Sequence, residues 1–168
     1  MARADQRPFL LHPPTPLIGR HAEISQISNR LQGRQGRLLT LIGPPGVGKT
    51  SLALAVAHRL QPDYGDGVIF VGLAAINEAA FMVDAILAAV AGEDFSAKPP
   101  KARLIACLRR RSLLLVLDNL EQIAGAAPII AELIAECPQL CILATSRERL
   151  HLAPSNGTRY CPWIWPPR

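Results

Sequence analysis

The segment Gly43-Pro44-Pro45-Gly46-Val47-Gly48-Lys49-Thr50 fits G-x-x-x-x-G-K-[ST] in full. The run before it, Leu38-Leu39-Thr40-Leu41-Ile42, reads as a short strand. The Ala- and Leu-rich run after it, Lys49 to Leu60, stops before Pro62 and reads as a helix. A glycine-rich loop between a strand and a helix confines the chain to α/β arrangements that cradle an anion. The glycines let backbone N–H groups turn inward around a phosphate without Cβ clashes. The helix adds the positive end of its dipole. Lys49 is expected to reach the β- and γ-phosphates of a nucleotide, and Thr50 to place its hydroxyl on Mg²⁺. Ser51 follows and joins the candidate nucleotide-binding set. A tight turn that bound nothing would need no Lys-Thr after its glycines.

The rest of the chain alternates in the same way. Glu23, Ile24, Ile27 and Leu31 have helical spacing that ends near Gly33. Val68-Ile69-Phe70-Val71 is a second strand, and Ala79 to Ala91 a helix dense in small apolar residues. Glu93 to Pro100 reads as a polar connector, and Lys101 to Arg111 as a basic amphipathic helix. Leu113-Leu114-Leu115-Val116-Leu117 is a third strand, apolar on both faces and therefore central. Pro128 to Glu136 is a helix, and Cys141-Ile142-Leu143-Ala144-Thr145 a fourth strand. Strands alternating with helices predict a mainly parallel sheet covered on both faces, a three-layer α/β/α sandwich.

Two strand ends carry chemistry. Phosphate loops of this kind work with a carboxylate at the end of another strand that holds Mg²⁺. Asp118 supplies it directly after Leu117. The next residue is Asn119, which cannot act as a base, and Glu121 is the nearest carboxylate. Hydrolysis is therefore expected to be slow. Thr145-Ser146-Arg147 closes the fourth strand, at the sheet edge where open α/β folds bind ligands. Arg147 is placed to read a γ-phosphate through charge-assisted hydrogen bonds, and Arg149 is a weaker candidate. The candidate catalytic set is Lys49, Asp118, Glu121 and Arg147, with Thr50 and Asp118 as Mg²⁺ ligands.

Bulk properties close off other classes. The 168 residues make one domain's worth of chain, with 49% hydrophobic and 18% charged residues, unlike a disordered protein. Only Lys49, Lys98 and Lys101 are lysines, so the other fifteen of the 18 basic residues are Arg. This bias, with the Ala and Pro content, follows GC-rich codons. The net charge of +5 admits an anionic partner, yet the Arg residues are scattered, and Arg109-Arg110-Arg111 reads as a solvated helix end. Cys107, Cys137, Cys141 and Cys161 form no C-x-x-C pair or zinc pattern and read as reduced cysteines. Cys137 and Cys141 are spaced to share a helix face or flank a turn. Pro8, Pro13 and Pro14 break any signal-type apolar run, and no stretch reaches the ~18 apolar residues that span a bilayer. A cytoplasmic location away from membranes is expected.

Pro16-Leu17-Ile18-Gly19-Arg20, Leu41 to Thr50, Leu113 to Glu121 and Ala144 to Arg147 together resemble the STAND class of P-loop NTPases. The nearest resemblance is to the NB-ARC-like, AAA-like ATPase module of large bacterial transcriptional regulators of the LuxR and AfsR type. It spans about Pro14 to Leu152. The resemblance implies that Leu17, Ile18 and Gly19 contact adenine and that Arg20 braces the pocket. It implies that Thr145, Ser146 and Arg147 form the γ-phosphate sensor. It also implies sheet order 1-4-3-2, ATP or ADP with Mg²⁺ as cofactors, and a switch that oligomerises in the ATP state. No Asn/Thr-Lys-x-Asp guanine motif is present, which favours adenine.

The family pattern continues into a fifth strand, helical subdomains and a winged helix, with DNA contacted only through attached effector domains. Here the fifth strand is expected to be missing. The organisation reads as a Pro-rich linker over 1–15, a nucleotide-binding domain over 16–152 and an irregular tail over 153–168. With GC-leaning codons, another frame of the tail yields Glu-Gln-Arg-Tyr-Pro-Val-Leu-Pro-Leu-Asp-Leu-Ala, which resembles the family's continuation. A truncated, out-of-frame product is therefore expected, with the phosphate-loop strand left near a sheet edge. The function expected is a Mg²⁺-dependent ATP/ADP switch with slow or no hydrolysis. The alternatives are a competent AAA+-type ATPase and a non-catalytic, nucleotide-stabilised interaction fragment. Nucleic-acid binding through Arg and phosphotransfer are weaker still.

Overall fold

Each apolar run becomes a strand, and every strand pairs in parallel with its neighbours in a computed structural model. The structure describes residues 17–32, 36–91, 97–150 and 160–164, the last group by backbone alone. The elements run α1 (His21–Gln32), β1 (Leu38–Ile42), α2 (Lys49–Leu60), β2 (Val68–Gly72), α3 (Ala79–Ala91), α4 (Pro100–Leu108), β3 (Leu113–Asp118), α5 (Ala126–Glu136), β4 (Leu140–Ser146) and β5 (Tyr160–Ile164). The sheet order is β2-β3-β4-β1-β5. Its first four strands follow the expected 1-4-3-2 arrangement.

The fifth strand corrects an expectation. Tyr160–Ile164 pairs with β1 in register Leu38↔Tyr160 to Ile42↔Ile164, inside the stretch the sequence pattern assigns to an irregular tail. Two prolines and two tryptophans nearby hid the strand, because no alternation survives around Pro162. The phosphate-loop strand β1 is thus flanked on both sides, and the sheet edges are β2 and β5. The linker at 1–15, the Gly33 end of the first helix and residues 93–96 of the 93–100 connector lie outside the described residues, as do 153–159 and 165–168 of the tail.

Strand alternation sorts the core into two layers. Leu113, Leu115, Leu117, Ile142 and Ala144 face α3, α4 and α5, meeting Met82, Ile86, Leu104, Leu108, Ile130 and Leu133. Leu114, Val116, Cys141, Leu143, Leu39 and Leu41 face α1 and α2, meeting Ile27, Leu31, Leu52 and Val56. Leu113 through Leu117 are all fully buried. This is why β3 reads as a continuous apolar run rather than an alternating one. Burying each such side chain contributes roughly 1.5–3 kcal/mol. The same alternation places Asp118, two residues past Val116, on the α2 side of the sheet.

α4 ends at Leu108, not at Arg111. Arg109 caps its end through the backbone and pairs with Glu136 at 3.2 Å, while Arg111 donates to the Val90 carbonyl at 2.9 Å. The arginine run is a helix end tied to its neighbours. Arg37 holds α5 in place, donating to the carbonyls of Ile134 at 2.6 Å and Cys137 at 2.9 Å. A cation at the last turn satisfies carbonyls that the helix leaves unpaired. Cys137 and Cys141 flank the turn between α5 and β4, and both are buried free thiols. Among the described residues no helix is long and apolar enough to cross a membrane.

Candidate functional site

The chain leaving β1 crosses to the far edge at β2, whereas the chain leaving β4 returns to the other edge at β5. Between these divergent paths the C-terminal ends of β1, β4 and β3 form a crevice, the usual ligand position in an open parallel sheet. The register puts Ile42 beside Ser146 and Leu117 beside Ala144. Asp118 and Thr145 therefore emerge at one level, beside Leu41, with Gly43 two residues further on.

The glycine-rich loop occupies this crevice. Gly46 and Gly48 have φ of 80° and 84°, in the left-handed region that other residues seldom adopt. Gly48 caps α2 with no side-chain hydrogen bond, and the first helical bond runs from Leu52 N–H to the Gly48 carbonyl at 2.9 Å. The earlier N–H groups of α2 are outside the helical ladder and available to an anion. No acidic residue lies in the first turn of α2 to oppose one. Gly43 is anchored to β4 by its N–H, which donates to the Ser146 carbonyl at 3.3 Å.

Lys49 closes the loop from within. Its Nζ donates to the carbonyls of Gly43 and Pro44, each at 2.8 Å. The ammonium is thus held at the mouth of the loop, where a phosphate oxygen could replace either carbonyl. Arg20 braces the loop from outside, donating from Nη2 to the Val47 carbonyl at 3.1 Å. This bond ties the Leu17–Arg20 segment to the loop across 27 residues of sequence. Leu17 is half-buried, and Ile18 is 94% exposed. Gly19 takes φ 78° between Ile18 and Arg20.

Thr50, Asp118 and Thr145 converge on one oxygen. The Thr50 hydroxyl donates to Asp118 Oδ1 at 2.8 Å, and the Thr145 hydroxyl donates to the same atom at 2.6 Å. Both distances lie within the normal range for O–H···O hydrogen bonds. Among the described residues no group of three or more His, Cys, Asp or Glu side chains is placed to hold a metal. A hydroxyl and one carboxylate instead match the donor set Mg²⁺ uses when substrate phosphates and water complete its shell. The chain therefore fits Mg²⁺ at Thr50 and Asp118.

The remaining candidates lie one step further out. Asn119 takes φ 68°, the only positive φ at a non-glycine position among the described residues, and its N–H donates to Thr145 Oγ1 at 3.0 Å. Glu121 sits on a short 3₁₀ turn, Leu120–Gln122. Its Oε1 pairs with Arg147 Nε at 3.0 Å, with side-chain exposures of 12% and 52%. The other oxygen, Oε2, is buried without a hydrogen bond. Ser146 is 1% exposed and accepts from the Glu148 N–H at 3.2 Å. Ser51 is half-buried on α2 and Arg149 is exposed.

The structure brings Lys49, Thr50, Asp118 and Thr145 to one crevice, and two connections around them had no signal in the sequence. Nothing in the spacing signalled that Arg147 would meet Glu121, since the contact depends on how the 3₁₀ turn after β3 folds. Nor did it signal the Thr145 bond to Asp118, although both flank the end of one strand pair.

Comparison with known proteins agrees with this architecture. Residues 16–143 match the family described as the AAA ATPase domain. A protein of Mycobacterium tuberculosis named as an HTH-type transcriptional regulator is 40% identical over 120 residues, covering 71% of this chain and 13% of that protein. The regulatory protein AfsR of Streptomyces griseus is 31% identical over 143 residues, covering 79% of this chain and 14% of AfsR. The chain thus spans about an eighth of the length of these curated relatives. In fold it is similar to the Aeropyrum pernix ORC1 protein solved in complex with DNA, with a TM-score of 0.66, 22% identity, and 97% of this chain and 50% of that chain covered. With its phosphate loop, Mg²⁺-type donor pair and parallel sheet, the chain belongs to the AAA ATPase domain family.

Proposed function

We propose that this domain binds ATP and ADP with Mg²⁺ and acts as a nucleotide switch with slow hydrolysis inside a larger transcriptional regulator. One observation carries the reading. Lys49, Thr50 and Asp118 are gathered around a glycine loop with free helical N–H groups, while the position after Asp118 holds an amide. The cradle has every part needed to hold a triphosphate and lacks the adjacent acid that would activate water. The next carboxylate along the chain after Asp118, Glu121, pairs with Arg147.

In this reading the loop N–H groups and Lys49 bind the β- and γ-phosphates. Mg²⁺ held by Thr50 and Asp118 neutralises phosphate charge when bound. Leu17, Ile18 and Gly19 offer an apolar surface to the base, and the Arg20 bond keeps that segment against the loop. Arg147 distinguishes ATP from ADP by exchanging Glu121 for the γ-phosphate. Arg147 is half-exposed, whereas Glu121 is shielded, so the γ-phosphate has to compensate for leaving that carboxylate without its partner. DNA contact, other partners and oligomerisation belong to regions beyond the span shared with the longer relatives.

A second reading, a competent ATPase with Glu121 as base, is favoured by the buried and unpartnered Oε2. Calorimetry with ATP, ADP and GTP, together with a turnover assay, decides between them. The switch reading expects tight adenine-nucleotide binding, weak GTP binding and turnover far below tens per minute. Turnover at tens per minute or faster, abolished by Glu121→Gln, would establish the second reading instead.

A further inference from the structure

Resting on the nucleotide-binding reading above, we infer that Thr145 is a positioning residue for the Mg²⁺ carboxylate, not a contact for the nucleotide. Thr145 lies on β4, the strand between the phosphate-loop strand β1 and the Asp118 strand β3. It is 1% exposed, so its hydroxyl is shielded from solvent. Both of the hydroxyl's roles are already taken. It accepts from the Asn119 N–H at 3.0 Å and spends its single proton on Asp118 Oδ1 at 2.6 Å. A hydroxyl so engaged has no proton left for a γ-phosphate.

The arrangement has a directional consequence. Thr50 and Thr145 both bond Oδ1, and among the described residues no hydrogen bond or ion pair engages Oδ2. The carboxylate is therefore oriented by one oxygen while the other stays open. A Mg²⁺ ion would take a lone pair of the Thr50 oxygen and leave its proton on Asp118, so Thr145 is the hydroxyl that fixes Asp118 without touching the metal. The Asn119 bond in turn fixes the hydroxyl, because its lone pair is occupied by an N–H on the far side of the same carboxylate-bearing residue. Supporting partners of metal ligands typically change metal affinity by about 10–100-fold when removed.

The test compares ADP affinity with Mg²⁺ and with EDTA, by calorimetry on the whole chain. Thr145→Val keeps the shape and deletes the hydroxyl. The expected result is that the Mg²⁺-dependent gain in affinity falls about tenfold while the EDTA affinity stays within about twofold. Thr145→Ser, which keeps the hydroxyl, should restore the gain. In an Asp118→Asn background Thr145→Val should add nothing. Should Thr145→Val not fold, Thr145→Cys, a weak donor of similar volume, takes its place with the same expectation. A full Mg²⁺ gain in the hydroxyl-free variant overturns the inference, as does an equal loss with and without Mg²⁺. So does a loss that persists unchanged in Asp118→Asn. If the unaltered chain binds no nucleotide, the underlying reading falls with it. If it binds with a normal Mg²⁺ gain and only the Thr145 expectations fail, the inference alone falls.

Discussion

Two polar contacts border the same crevice and differ in kind. The Thr50–Asp118–Thr145 cluster is built from short hydroxyl bonds to one carboxylate oxygen, half of it on a residue 1% exposed. The Glu121–Arg147 pair, by contrast, joins a shielded acid to an arginine that is 52% exposed. Deleting a hydroxyl from the first leaves buried groups without partners, which costs about 1–3 kcal/mol. Solvent and salt reach the second pair from the arginine side, yet breaking it leaves the shielded Glu121 carboxylate without its partner. The contrast teaches that the Asp118 end of the crevice is closed to solvent, whereas the Glu121–Arg147 end opens to it through the arginine.

Variants can break or sharpen this contrast. The largest effect is expected from Lys49→Ala, which removes the only cation inside the loop. Nucleotide affinity should fall by at least about 100-fold in calorimetry, and retained micromolar binding would sink the site assignment. Asp118→Asn should come next, losing most of the Mg²⁺-dependent affinity while EDTA binding persists. Arg147→Ala should lower chemical-denaturation stability by about 1–3 kcal/mol, because it leaves the shielded Glu121 carboxylate unpartnered, and should erase the preference for ATP over ADP. An unchanged ATP preference in that variant would remove Arg147 from the nucleotide reading.

The smallest effect concerns Cys137, far from the crevice. Burial and, next, the neighbouring Glu136 push its thiol up to about 11. It should alkylate about tenfold more slowly than half-buried Cys107 in peptide mapping near pH 8. Its raised value also has a sign. Between pH 9 and 11 the unfolded chain loses this proton and the folded chain keeps it, so stability declines as pH rises. Below pH 9 the contribution is complete. Cys137→Ala should show a shallower alkaline slope, whatever its absolute stability.

Much of this was legible in residue order. Four apolar residues and a threonine before a glycine loop specify strand β1, and an uninterrupted apolar run ending in Asp specifies a central β3, because both are local patterns of burial. The strand order followed from resemblance, not from periodicity. What stayed hidden was long-range or irregular. Arg37 closing α5 joins positions about 100 apart, and β5 carries a proline within its span. The meeting of Glu121 with Arg147 depends on a left-handed residue and a 3₁₀ turn, whose joint outcome no spacing rule gives. The site's membership was local chemistry, while its wiring was tertiary.

The left-handed backbone at Asn119 bears on how such a domain could change over evolutionary time. Asn tolerates φ near 68° better than most residues with a Cβ, and Glu does not. Acquiring a water-activating acid beside Asp118 by one exchange would therefore carry roughly 1 kcal/mol of backbone strain, and relaxing it would pull the amide from Thr145. A lineage starting from this geometry would have to rebuild the turn before it could gain a faster clock.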